Sequence, residues 1–203
     1  MSSVLTREFY NKSSLAVARK IIGKKLVRKL SDDAILAGII VEAEAYAGRR
    51  DPASHAYRGM TARNEVMFGE PGHAYVYFTY GAHYCLNFVT RHFKTEEASA
   101  ILIRAVEPST GIEIMAEHRK TNLATNLASG PGKLCQAFGI DRSLNGVDIT
   151  HPESPIRVED TSEIYSVSKS ERIGISVAKD RKWRFFASNN PHVSKLPRPL
   201  RQG

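Results

Sequence analysis

The segment Ile35-Leu36-Ala37-Gly38-Ile39-Ile40-Val41-Glu42-Ala43-Glu44-Ala45-Tyr46 constrains this chain more than any other. Long, apolar and rich in β-branched residues, it reads as a strand through the interior. Its polar residues come only near its end. With a two-residue period, Glu42, Glu44 and Tyr46 project from one face, so two carboxylates and a phenol are carried to a common place. Two readings of that face stay open. It is either a solvated edge, or the site of a general base, because the strand runs into a segment holding His55, Arg58, Arg63 and Asn64.

That segment, Ala47 to Met67, is dominated by Gly, Arg, Asp, Pro, Ser, His and Asn, and reads as a long irregular loop of the kind that often carries function. Before the strand, Ser13 or Ser14 caps a predicted helix through about Ile22, and residues 25–30 form a strand turning at Ser31-Asp32-Asp33. After the loop, Tyr75 to Val89 contains two β-rich runs around a Gly-containing break, a hairpin with its tip at Tyr80-Gly81. A strand follows over Ala100 to Val106, and Pro108-Ser109-Thr110 is expected to lead into a helix of about Gly111 to Arg119. Leu123 to Ile140 reads as helical in pieces around Gly130-Pro131-Gly132-Lys133. Short strands are predicted near 156–158, 163–168, 172–177 and 183–187, before the basic tail Pro197-Arg198-Pro199-Leu200-Arg201. Hairpin signals outnumber any regular βαβ alternation. The expected fold is therefore α+β: a single mixed domain over residues 1–203, with a largely antiparallel β-sheet, surrounding helices and a protruding hairpin.

Composition limits the partners. With Lys+Arg 29 against Asp+Glu 21 the formal charge is +8, spread along the chain, which suits a basic face that meets phosphate. Membrane headgroups and acidic partners attract the same field. Cys85 and Cys135 fit neither a disulfide framework nor a zinc ribbon, so a reducing location is expected: cytoplasmic, at the nucleoid in a bacterium or in the nucleus of a eukaryote. No apolar run approaches the ~20 residues of a spanning helix and no signal-peptide core opens the chain, so no membrane contact is expected.

Several other groups invite a chemical reading. Tyr75, Tyr77 and Tyr84 can stack flat ligands or simply fill the sheet core, the latter favoured for Tyr75, Tyr84 and Phe88. Tyr80 differs, since a large ring beside a turn glycine has little protein to pack against, and reads as a projecting wedge. The Gly130-Pro131-Gly132-Lys133 turn lacks the residues of a nucleotide-triphosphate loop. It either holds one phosphate through Gly132 and Lys133 or merely starts a helix. No spacing supports a metal site.

Taken together, Val41-Glu42-Ala43-Glu44-Ala45-Tyr46, Arg63-Asn64-x-x-Met67-Phe68, and Pro71-Gly72-x-x-Tyr75-Val76-Tyr77-x-x-Tyr80-Gly81-x-x-x-Cys85-Leu86-Asn87 resemble the alkyladenine (3-methyladenine) DNA glycosylase family. The resemblance continues through Leu102-Ile103-Arg104-Ala105-Val106-Glu107-Pro108, Ser129-Gly130-Pro131-Gly132-Lys133-Leu134-Cys135-Gln136-Ala137 and Arg172-Ile173-Gly174-Ile175, covering nearly the whole chain in order. It implies a monomeric, monofunctional enzyme of base excision repair that needs no metal or cofactor. Such an enzyme flips a damaged purine out of double-stranded DNA and hydrolyses its N-glycosidic bond. Glu44 falls where the family has the base that activates water, with Arg104 and the Ile173 carbonyl where groups help hold that water. Tyr46, His55 and Tyr77 fall where rings sandwich the flipped purine, and Asn87 where a side chain screens out the guanine 2-amino group. Tyr80 matches the residue that fills the hole in the duplex; Gly81, Arg63, Gly132 and Lys133 are the accompanying DNA-contact candidates.

The residues fit that chemistry. Extrusion costs about a few kcal/mol, least for damaged or mispaired bases, and an electron-rich tyrosine face attracts a cationic alkylated purine by roughly 0.5–2 kcal/mol. Tyr77 and Asn87 share a face only if the hairpin loop has an odd number of residues; a loop of Tyr80-Gly81-Ala82 pairs Thr79 with His83, Tyr77 with Cys85 and Tyr75 with Asn87. The rival reading is a protein that binds and shields damaged DNA without chemistry, for which Glu44 would be dispensable.

Overall fold

The chain's local capping is visible from the start: the Ser13 hydroxyl accepts a hydrogen bond from the Ala16 N–H at 3.3 Å and begins the first sizeable helix. The structure is a computed structural model describing residues 3–79, 81–92 and 96–194; Tyr80 and the basic tail at 197–201 lie outside the described residues. In chain order the elements are α1 (Arg7–Tyr10), α2 (Ser14–Lys20), β1 (Lys25–Ser31), β2 (Ala34–Tyr46), β3 (Ala74–Thr79), β4 (His83–His92), β5 (Glu96–Thr110), α3 (Ile112–Arg119), α4 (Ala124–Leu127), α5 (Pro131–Ala137), β6 (Ile156–Glu159), β7 (Val167–Ser170) and β8 (Arg184–Ala187). The fold is α+β, as the sequence implied.

The strands form one antiparallel sheet in the order β3-β4-β5-β2-β1-β6, with β8 joining β2 and β7 joining β8. β2 is its centre. One edge pairs along its length with β5, from Ala37 opposite Thr110 to Tyr46 opposite Ala100. The other edge pairs first with β1, then hands over to β8, where Glu42 and Glu44 stand opposite Phe186 and Arg184. The acidic end of β2 is thus flanked on both edges, which is why it is interior and not a wet margin.

Period-two alternation then separates two environments. Ala43 and Ala45 of β2, Ile101 and Ile103 of β5, Leu86 and Phe88 of β4 and Ala74 and Val76 of β3 join the main core, together with buried residues of α2, α3 and α5. Tyr75, Val89 and Ala100 face the opposite side, where Ala56 and Met67 of the long loop pack on them. The loop is a lid on the second face of the sheet. Gly48, at φ 58°, opens it where a Cβ would stand 1.9 Å from the Glu97 carbonyl oxygen, so only glycine fits.

Three expectations need correcting. Pro108-Ser109-Thr110 remains in β5, because its pairing with β2 continues to Thr110, and α3 starts only after Gly111 turns left-handed at φ 71°. The proline is tolerated because the β2–β5 register shifts between Ala37 and Gly38, beside it. The strand expected near 163–168 lies at Val167–Ser170. Residues 172–177 form no strand; Gly174 is left-handed at φ 78°, and the Ile173 N–H is spent on a side chain instead of a ladder. Among the described residues no helix is long and apolar enough to cross a membrane.

Candidate active site

The carboxylates of Glu42 and Glu44 are both 0% exposed, which removes the solvated-edge reading. Each is held differently. Glu42 Oε1 accepts from Arg104 Nε at 2.9 Å, Arg184 Nε at 2.7 Å and the Ser194 hydroxyl at 2.7 Å, and its Oε2 accepts from the Ser194 N–H at 2.7 Å. That carboxylate is saturated by structure. Glu44 Oε1 accepts from the Ile173 N–H at 2.7 Å, and Oε2 from the Tyr46 hydroxyl at 2.9 Å, with Arg104 Nη1 at 3.4 Å.

Burial raises the proton affinity of Glu44 above that of an ordinary glutamate, while Arg104, the Ile173 N–H and the Tyr46 hydroxyl oppose that rise. Burial and the Glu44 charge push the Tyr46 phenol well up, so it stays protonated and donates. Burial works against the Arg104 cation, but Glu44 and Glu42 outweigh it and hold the guanidinium charged. The result is a carboxylate more basic than in water and fixed in direction, the two properties that a general base requires.

Above it opens a cavity of about 480 Å³, and Tyr46, Arg104 and Ile173, the three partners of Glu44, all line it. Glu44 itself is in contact with all three. Tyr77, Asn87 and His55 line the same cavity, so each catalytic and substrate-contact residue expected from the sequence either lines it or, for Glu44, contacts residues that do. The hairpin register is the three-residue one expected, with Thr79, Tyr77 and Tyr75 opposite His83, Cys85 and Asn87. The His55 and Tyr77 rings meet edge to face at 4.6 Å, and His55 Nδ1 is 2.9 Å from the Tyr75 hydroxyl. Burial and the Arg63 charge lower the His55 proton affinity, and burial pushes Tyr75 up to about 12, so the aromatic wall is neutral near pH 7. Tyr75, read as core, is that and more, since its hydroxyl orients His55. Asn87 Nδ2 donates to the Tyr75 carbonyl at 3.0 Å, so Asn87 both braces the hairpin and faces the cavity.

The expected DNA contacts are less uniform. Arg63 Nη2 donates to the Phe78 carbonyl at 3.2 Å, and its guanidinium lies 5.2 Å from the Tyr77 ring centre. Gly81, at φ 62°, has open space where a side chain would stand. Tyr80 lies outside the described residues. A Cβ on Gly132 would come within 2.6 Å of the His83 ring, so this glycine lets α5 approach β4; Lys133 Nζ donates to Asn126 Oδ1 at 2.5 Å.

Sequence reasoning missed a second buried ion pair. Arg172 bonds Asp51 through both terminal nitrogens, at 2.5 and 2.8 Å, and donates to the Ala45 carbonyl at 2.9 Å. Its guanidinium lies over the Tyr46 ring at 4.6 Å and over Trp183 at 5.1 Å. The only signal was that Arg172 precedes Ile173. Among the described residues no three His, Cys, Asp or Glu side chains gather as a metal site requires.

Comparison with known proteins finds one family and several relatives. The sequence model of the family described as Methylpurine-DNA glycosylase matches residues 8–191. Curated relatives carrying the provisional name 3-methyladenine DNA glycosylase include one from Methanocella arvoryzae, 49% identical over 95% of this chain and 96% of its own. Another, from Chlorobium phaeobacteroides, is 44% identical over 95% of this chain and 97% of its own. A third, from Carboxydothermus hydrogenoformans, is 47% identical over 95% of this chain and 99% of its own.

Proposed function

Because the chain belongs to the methylpurine-DNA glycosylase family and is a DNA-3-methyladenine glycosylase, we propose that it extrudes alkylated or deaminated purines from duplex DNA and hydrolyses their glycosidic bond with Glu44 as general base. The observation that carries this reading is the Glu44 carboxylate, buried and aimed by three groups that themselves line the cavity.

The extruded purine enters between the Tyr77 and His55 rings on one side and Tyr46 on the other. A water molecule beside Glu44 gives a proton to the carboxylate as its oxygen bonds the sugar C1′, while the electron pair of the glycosidic bond leaves with the base. Negative Glu44 also stabilises positive charge developing on the sugar. An alkylated purine is already cationic and leaves as a neutral base. Neutral hypoxanthine departs with the electron pair of the glycosidic bond and takes up one proton, which balances the one that water gave to Glu44. The products are a free base and an abasic site in an intact strand. No lysine is among the described residues lining the cavity, which supports water, not an amine, as the nucleophile. The reaction as written uses no metal or cofactor.

The formal charge of +8 suits a monomer that reads duplex DNA by its phosphates. Tyr80 is the wedge that replaces the extruded nucleotide, a role supported by the open left-handed turn at Gly81. Arg63, whose guanidinium lies 5.2 Å from the ring centre of the cavity residue Tyr77, and Gly132 and Lys133, which follow the cavity residue Pro131, are candidate phosphate contacts.

The test is Glu44→Gln, assayed for free base from methylated DNA and from duplex containing one hypoxanthine. Release should vanish while binding to a duplex carrying a tetrahydrofuran abasic analogue persists. Undiminished release would remove Glu44 from the mechanism.

A further inference from the structure

We propose that Asp51 and Arg172 are positioning residues for the glycosylase reaction: their buried ion pair fixes the Ile173 N–H on the Glu44 carboxylate and the Tyr46 ring on the cavity wall. The inference rests on the reading of Glu44 as the general base.

Both side chains of the pair are 0% exposed. Burying two charges costs roughly what their attraction returns, so such a pair is weak evidence for stability and needs another reason to be there. Its contacts supply one. Arg172 reaches three things at once: the Asp51 carboxylate, the Ala45 carbonyl and the face of Tyr46. Ala45 and Tyr46 are the two residues of β2 that follow Glu44, and Ile173, next to Arg172, is bonded to Glu44 itself. One guanidinium therefore ties the strand that carries the base to the segment that orients it.

The segment needs such a tie. Residues 172–177 belong to no strand, yet Ile173 to Val177 line the cavity. The bonds that bring the segment against β2 come from the Arg172 side chain and the Ile173 N–H. Asp51 is itself anchored: its Oδ1 accepts from the Ala53 N–H at 3.2 Å and lies 3.7 Å from Arg181 Nη1. Arg181 and Arg172 both lie over the Trp183 ring, at 4.6 and 5.1 Å, so the tie is stacked as well as paired. A fork of this kind fixes direction in a way a single hydrogen bond does not.

The consequence concerns rate and its pH dependence. Glu44 is faced by Glu42 and Tyr46 from β2, Arg104 from β5, Cys85 from β4, Ile173 and Arg172 from the strandless segment, and by Arg184 of β8 through Glu42. Arg104 lowers the proton affinity of Glu44 most, followed by the Ile173 N–H and the Tyr46 hydroxyl, and the Ile173 bond is made by the residue next to Arg172. Loosening the pair weakens that bond, so Glu44 takes up its proton at higher pH and the acid limb of the rate profile moves upward.

The experiment compares wild type, Asp51→Asn, Arg172→Lys and the doubly neutral Asp51→Asn/Arg172→Gln, which leaves no unpaired buried charge to block folding. Each is assayed for single-turnover release of hypoxanthine against pH, for affinity to duplex with a tetrahydrofuran abasic analogue, and for melting temperature. We expect folded variants whose single-turnover rate falls by about 10- to 100-fold, the scale of a small misplacement of a catalytic group. Their acid limb should move to higher pH, and abasic-analogue affinity should stay close to wild type. Folded variants with the wild-type rate and pH profile, beside an inactive Glu44→Gln, overturn the proposal alone. So does a loss of rate and affinity in parallel, with an unmoved pH profile, which marks a merely structural pair. A Glu44→Gln protein that still releases base overturns the general-base reading and this one with it.

Discussion

Ile173 donates its backbone N–H to Glu44 Oε1 across 129 positions of sequence, at 2.7 Å. That bond joins the central strand to a segment without strand partners, and makes the direction of the carboxylate depend on where a loop lies. Tyr46 and Arg104 hold the other oxygen. With both oxygens engaged, the carboxylate cannot rotate freely.

The burial of Glu44 should be measurable as a cost. Its proton affinity is raised above the ordinary value of 4.5, so the folded protein binds more protons than the unfolded chain above that pH. The contribution is fully favourable below about 4.5 and is lost as pH rises through the folded value. Glu44→Gln abolishes that loss. The variant's stability relative to wild type, from urea melts at a series of pH values, should therefore grow as pH rises above 4.5. Parallel stability curves would contradict the raised affinity.

Tyr46→Phe separates the ring from the hydroxyl. The ring keeps its place under Arg172, but Glu44 Oε2 loses the donor at 2.9 Å. Hydrogen bonds to charged groups are worth about 1.5–3 kcal/mol, so excision should slow by about 10- to 100-fold and its acid limb should rise. Affinity for an abasic-analogue duplex should change little. An unchanged pH profile would show that the hydroxyl does not act through Glu44.

The ease of reading Glu42, Glu44 and Tyr46 and the difficulty of reading Asp51 and Arg172 have one physical cause. Alternation is local: a strand's period places its side chains regardless of what else the chain does, and the three fell on one face as expected. The Asp51–Arg172 pair spans 121 residues, and no period or spacing connects them. Residues 172–177 misled for a related reason. Ile173, Ile175 and Val177 alternate like a strand, but here every residue from Ile173 to Val177 lines a cavity, and left-handed Gly174 prevents a ladder. The two carboxylates also differ in a way spacing could not express, since only the fold assigns Glu42 to Arg184 and Ser194.

Gly132→Ala tests whether this glycine serves packing. Its Cβ would lie 2.6 Å from Cγ and Cδ2 of His83, forcing α5 and β4 apart, and overpacking of this kind costs about 1–3 kcal/mol. Combining it with His83→Ala should recover part of the melting temperature, since the ring atoms in the way are gone. If Gly132→Ala folds as stably as wild type and instead weakens binding to undamaged duplex, the glycine serves a backbone phosphate contact.

Asn87→Ser tests selectivity, and two effects must be separated. The Asn87 amide donates to the carbonyl of Tyr75, its partner across the hairpin, and losing that bond should cost about 1 kcal/mol of stability whatever the side chain does in the cavity. The second effect is steric. Asn87 lines the cavity beside the wall formed by Tyr77, and its amide can obstruct the 2-amino group by which guanine differs from hypoxanthine. A serine withdraws from that position. Release of guanine relative to hypoxanthine, each from an otherwise identical duplex, should rise by the equivalent of about 1–3 kcal/mol, the range open to small steric differences in a pocket. The ratio is insensitive to stability, because both substrates meet the same folded enzyme. A lower melting temperature with an unchanged ratio would therefore confine Asn87 to bracing the hairpin.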